Sequence, residues 1–123
     1  MVSDIELNSF IQDHIDSFVK WDVLVFYSRS PGAVETVDML SRLTGKDREE
    51  IKSSLDELVS SGVLSAAGGG VDPVCYSVAP GFRHRSILEK VNAEMLDRGA
   101  RLKLLTMTME SIKRQNGNGR TQP

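Results

Sequence analysis

Between Asp4 and Phe18 the apolar residues Leu7, Phe10, Ile11, Ile15 and Phe18 fall on helical spacing, leaving Gln12, Asp13 and Asp16 for the wet face. This pattern predicts a first helix. Ser17 is a suitable N-cap, because its hydroxyl can accept from a backbone amide left unpaired in the first turn. The chain is therefore expected to restart as a second helix from Phe18 to about Ser28. That segment holds Trp21, Val23, Leu24, Phe26 and Tyr27 and should be the most buried helix, ended by Pro31-Gly32. Thr36 can cap a third helix, Val37 to Leu43, with Val37, Leu40 and Leu43 on one face and Gly45 as its left-handed stop. Asp47 with Glu50 three residues on has the form of a capping box. Ile51, Leu55, Leu58 and Val59 then mark the buried stripe of a fourth helix, which Gly62 terminates.

After Gly62 the period changes. Val63-Leu64 opens a strand, Gly68-Gly69-Gly70 forms a flexible tip, and Val74-Cys75-Tyr76-Ser77-Val78 returns as a second strand. Pro80-Gly81 separates this hairpin from Phe82–Arg114, which reads as one long helix of roughly 50 Å at 1.5 Å per residue. Gly99 is its weak point. Leu88, Val91, Met95, Leu102, Leu105, Met109 and Ile112 follow a heptad register there, with Arg98 in the one missing place. Such a register predicts a seam between helices, either against the chain's own N-terminal helix or with a partner. Because the helix is longer than a domain of this size can cover, the part beyond Gly99 is expected to meet a second copy, giving a homodimer. The polar, Gly-rich tail Gln115–Pro123 is expected to be disordered.

Two helices joined by three or four residues and followed by a glycine-tipped hairpin give the layout of a winged helix-turn-helix. The expected fold is mainly α with a small β-hairpin wing, an extra N-terminal helix and a long C-terminal helix, in one domain over residues 1–114. The run Ala33–Val78 resembles the winged-helix domains of bacterial transcriptional regulators. Thr36-Val-Asp-Met-Leu-Ser-Arg-Leu-Thr-Gly is similar to the first helix of that motif. Asp47-Arg-Glu-Glu-Ile-Lys-Ser-Ser-Leu-Asp-Glu-Leu-Val-Ser-Ser-Gly-Val-Leu is similar to the recognition helix running into the wing. Upstream, Phe10-Ile-x-x-His-Ile-Asp-Ser and Trp21-Asp-Val-Leu look like the lead-in helices of a group of small bacterial proteins. The resemblance implies double-stranded DNA as a partner, with the recognition helix facing the major groove.

Charge complicates that implication. The chain of 123 residues carries a net charge of −2, unevenly spread. Residues 1–40 hold two basic and seven acidic side chains, whereas residues 82–114 hold eight basic and four acidic. Such ends suit one another, within a chain or across a dimer. Asp47–Ser61 contains two basic and five acidic residues, and the wing has Asp72 with no Lys or Arg. With Ile51, Leu55 and Leu58 inward, the outward set is Arg48, Glu49, Lys52, Ser53, Asp56 and Ser60. Phosphates repel carboxylates and supply much of DNA affinity. That leaves Arg42, Arg48 and Lys52, with Ser53 beside them, as groove candidates. Arg83 and Arg85 either add displaced phosphate contacts or solvate the start of the long helix. The alternative is an interaction module whose acidic face docks a basic protein partner and binds no DNA.

Enzymatic readings find little support. His14 and His84 are isolated, and neither shares a motif with Cys75 or with a nucleophilic serine. Gly68–Gly70 joins two strands instead of opening a helix, so it lacks the amide cradle of a phosphate loop. A lone cysteine excludes an internal disulfide, and no Cys/His cluster suggests a metal. No cofactor is expected. Trp21, Phe26, Tyr27 and Phe82 could line a ligand pocket but are more simply core. No apolar run reaches the roughly 18 residues of a membrane span. The N-terminus also lacks the basic segment of a signal peptide, so a cytoplasmic location is expected.

Overall fold

The computed structural model describes residues 2–81 and 85–119, with side chains described through Gln115. Its elements are α1 (Asp4–His14), α2 (Phe18–Arg29), β1 (Glu35–Thr36), α3 (Val37–Thr44), α4 (Arg48–Ser60), β2 (Leu64–Gly69), β3 (Asp72–Val78), α5 (Arg85–Met95) and α6 (Arg98–Gly119).

Local chemistry sets most of these boundaries. Ser3 and Glu6 form a reciprocal capping box at the start of α1, with Ser3 Oγ accepting from the Glu6 amide at 3.1 Å. α1 stops at His14, and Ser17 takes an extended backbone to cap α2 from Phe18 as expected, accepting from the Lys20 amide at 3.1 Å. Phe18 therefore opens α2 and stays 47% exposed, outside the stripe it was expected to extend. Thr36 caps α3, and Gly45 ends it in the left-handed conformation at φ 72°. Asp47 accepts from the amides of Glu49 and Glu50, which is the forward half of the expected capping box. Only Gly45, Lys46 and Asp47 separate α3 from α4.

The sheet has three antiparallel strands in the order β1-β3-β2. β2 and β3 form the expected hairpin, with Leu64 opposite Val78 and Ala67 opposite Cys75. The short strand β1, absent from the hydropathy reading, pairs Glu35 with Tyr76 and Thr36 with Cys75. It ties the entry to α3 onto the wing. At the tip, Gly68 adopts φ 99°, and a Cβ there would lie 2.6 Å from the Pro73 carbonyl oxygen, so the turn needs glycine.

A single apolar cluster joins every helix except α3's outer face. It is built on Trp21, Val23, Leu24 and Tyr27 of α2, with Ile51, Leu55 and Leu58 of α4 and Ile87, Leu88 and Val91 of α5. α2, expected to be the most buried helix, packs against α3, α4, α5 and α6.

The expected single helix over 82–114 is instead two. Phe82, Arg83 and His84 lie outside the described residues. The break falls at Leu96-Asp97, not at Gly99, which sits in the first turn of α6. Asp97 takes the N-cap role: its carboxylate accepts from the Ala100 amide at 2.8 Å. Arg101 reaches back to the Met95 carbonyl at 3.2 Å, satisfying the end of α5. Consequently the seven-residue seam is not continuous. Leu88 and Val91 enter the chain's own core, and α6 packs beside α5 and α1. The inward residues of α6 are Leu104, Thr108 and Ser111. Ser111 Oγ donates to the Ile15 carbonyl at 2.7 Å, and Gln115 donates to the Gln12 carbonyl at 3.2 Å, so α6 caps the end of α1. The Lys90 and Lys103 ammoniums, from α5 and α6, both pair with Asp4 at the start of α1, joining the acidic N-terminal and basic C-terminal segments within one chain. α6 continues to Gly119, past Gln115 where a disordered tail was expected; Arg120–Pro123 lie outside the described residues.

Candidate nucleic-acid interface

Helix α4 carries its apolar stripe inward and leaves Arg48, Glu49, Lys52, Ser53, Asp56 and Ser60 exposed. Three contacts fix how this face is presented. The Tyr27 hydroxyl of α2 donates to the Tyr76 carbonyl of β3 at 2.6 Å, a buried bond joining the wing to the central helix. The Tyr76 hydroxyl donates to Asp56 Oδ1 at 2.9 Å, joining the wing to α4. Lys20 of α2, with a side chain only 9% exposed, pairs with Asp16 at 3.0 Å and with Glu57 of α4. Burial pulls the Lys20 ammonium towards neutrality, but the bonds to Glu57 and Asp16 outweigh it, and its pKa is raised. Burial also raises the pKa of the Tyr27 hydroxyl, keeping it a donor.

The two cations of this α4 face are each paired. Arg48 Nε donates to Asp38 Oδ1 in the first turn of α3. Lys52 Nζ lies 2.8 Å from Asp56 Oδ2 on its own helix. The Lys52 bond holds the Asp56 carboxyl below the usual carboxylate range, opposed by burial and aided by the Tyr76 hydroxyl. The same pair raises the Lys52 pKa. Arg42 is exposed near the end of α3 and makes no ion pair among the described residues. The net acidity of this face is therefore compounded by local neutralisation. Each cation offers less to a phosphate than its formal charge suggests.

Not all the candidates converge. Arg48, Lys52 and Ser53 share one face of α4. Arg85 is exposed at the first position of α5, whose packing is chiefly on α2 and α6. Arg83 is outside the described residues. The wing tip, Gly68–Gly70 with Val71, Asp72 and Pro73, is largely exposed and carries one negative charge and no cation. The sequence reading missed Asp38, Tyr76 and Lys20 as partners of this face, since their contacts join separate elements. Trp21 and Tyr27 are core residues, 4% and 1% exposed. Among the described residues no group of three or more His, Cys, Asp or Glu could hold a metal, and no helix is long and apolar enough to cross a membrane.

No protein-family model matches the chain, and no curated protein matches it. Among solved structures it is similar to a "Possible transcriptional regulator from Methanosarcina mazei Go1", with a TM-score of 0.54 and 18% identity over 80% of this chain and 85% of that one. The fold is a winged helix. That likeness, together with the α3–turn–α4–β2–β3 order, establishes a mainly helical domain with a three-stranded antiparallel wing.

Proposed function

We propose that the protein is a winged-helix, DNA-binding transcriptional regulator of weak intrinsic affinity that acts as a cytoplasmic homodimer. The observation that carries this reading is the free solvent face of α4, which follows a three-residue turn and precedes the wing. In this fold that face meets the major groove. The regulator name of the similar archaeal structure supports it. Fluorescence anisotropy with mixed duplex DNA across salt concentrations tests it. Binding that weakens with salt is expected; no binding at low salt overturns it.

The dimer reading rests on α6. Its inward stripe uses Leu104, Thr108 and Ser111, leaving a second apolar face. Leu102 and Met109 on that face are each 56% exposed, and Leu105 and Ile112 are half-buried beside them. This reduces the seam to the part beyond Gly99.

A second reading is favoured by the paired cations of α4: an acidic face that docks a basic protein instead of DNA. Reversing charge at Glu49 and Asp56 separates the two. A DNA reader gains affinity for duplex, whereas an adaptor loses its partner.

A further inference from the structure

We infer that Arg48 reads a guanine edge and that Asp38 is its positioning residue, a refinement that rests on the DNA-binding reading above. Arg48 is the first residue of α4, and N-terminal residues of a recognition helix are the ones that reach base edges. Its guanidinium is anchored through one edge only, by Nε to Asp38 Oδ1. The two terminal nitrogens make no hydrogen bond to a described residue, and the side chain is 63% exposed. A guanidinium held by Nε points its other edge, a planar pair of N–H donors, away from the anchor. That edge matches the O6 and N7 acceptors that guanine presents in the major groove.

Asp38 acts in a second way. Its carboxylate offsets part of the Arg48 charge while leaving those donors free. Long-range attraction to the phosphate backbone scales with net positive charge, whereas base readout depends on directed donors and acceptors. The pair therefore favours base reading over backbone attraction. Lys52 is arranged differently. Its ammonium is bonded to Asp56, which the Tyr76 hydroxyl also holds, and it has no fork to present. Of the two cations on α4, Arg48 is the specificity-determining one.

The test selects sites from random duplexes with the intact protein, then compares the selected site with guanine-to-adenine variants by competition anisotropy. A fixed guanine is expected, and its replacement should weaken wild-type binding by about tenfold or more. Arg48→Ala and Arg48→Met should each reduce that discrimination to roughly twofold or less, because neither side chain carries a donor for guanine O6 and N7. Asp38→Asn should raise affinity for random duplex, steepen the salt dependence by about one phosphate contact and blunt the guanine preference. Circular dichroism checks that these exposed substitutions leave the fold intact. A selected site without a fixed guanine, or full discrimination in both Arg48 variants, overturns the inference while leaving the DNA-binding reading standing. Failure of the wild-type protein to retain any duplex at low salt overturns the DNA-binding reading itself.

Discussion

Replacing Leu102 and Met109 together by glutamine should abolish self-association without harming the monomer. Glutamine is a good helix former, so the change removes apolar surface and leaves α6 intact. Fully burying a side chain of this size stabilises by roughly 1.5–3 kcal/mol. Each residue is already partly covered in the monomer and retains 56% exposure. Burying the remainder is therefore worth about 1–1.5 kcal/mol per side chain, or about 5 kcal/mol for the four that a symmetric pair brings together. Association itself costs at least about 4 kcal/mol in lost translational and rotational freedom. These two positions alone leave a balance of only about 1 kcal/mol, so the proposed dimer also needs the rest of the seam, with Leu105 and Ile112, and would be weak without it. Losing about 5 kcal/mol weakens the dissociation constant by more than a thousandfold. Sedimentation equilibrium over a wide concentration range reads this directly, with thermal unfolding as the control on the monomer. A variant that associates as well as wild type, or a wild-type protein that stays monomeric at high concentration, would refute the seam.

Further outcomes follow from the contacts that hold the recognition face. Tyr27→Phe deletes a buried hydroxyl bonded to the Tyr76 carbonyl and should cost about 1–2 kcal/mol. For a domain of this size that is a fall in Tm of several degrees by circular dichroism; an unchanged Tm contradicts the wing-to-α2 link. Gly68→Ala should cost about 1–3 kcal/mol in urea titration, because it forces a side chain into a left-handed φ beside the Pro73 carbonyl. Asp4 and Asp56 have carboxyl pKa values held below the ordinary 3.8, Asp4 first by its bond to Lys103 and Asp56 first by its bond to Lys52. Their stabilisation is complete above the unfolded value and is lost as pH falls through the depressed folded one. Urea midpoints should therefore drop on moving from pH 6 to below pH 4, and less so in Asp4→Asn and Asp56→Asn; equal drops in all three proteins contradict the pairing.

The parts of this fold that were legible in the sequence are those set by neighbouring residues. Ser17, Thr36 and Gly45 mark helix ends through bonds to amides or carbonyls within one turn, and those positions are fixed as read. β1 was not legible: two residues have no periodicity, and they become a strand only because β3 supplies their partners. The long C-terminal helix misled because the heptad step from Met95 to Leu102 runs across the interruption. Asp97 as a cap was the local sign of the break. Within α6 the inward face was hidden by its polarity, since Thr108 and Ser111 are buried, Ser111 against the end of α1, while Leu102 and Met109 face solvent. The outward face of α4 was readable from its apolar stripe. Its ion pairs were not, because Arg48 meets Asp38 across ten residues and Lys20 meets Glu57 across two helices. The electrostatic character of the recognition face is thus a tertiary property, and net charge alone overstated what its cations can offer.

Backbone amide chemical-shift mapping of the isotopically labelled protein, titrated with short duplex DNA at low salt, tests the central claim most directly. The account predicts shifts concentrated in Arg48–Ser60 and the Gly68–Gly70 tip, reversed by added salt, with α1 and the outer face of α6 unmoved. Shifts absent throughout, or confined to α5 and α6, would contradict a winged helix that reads DNA with α4.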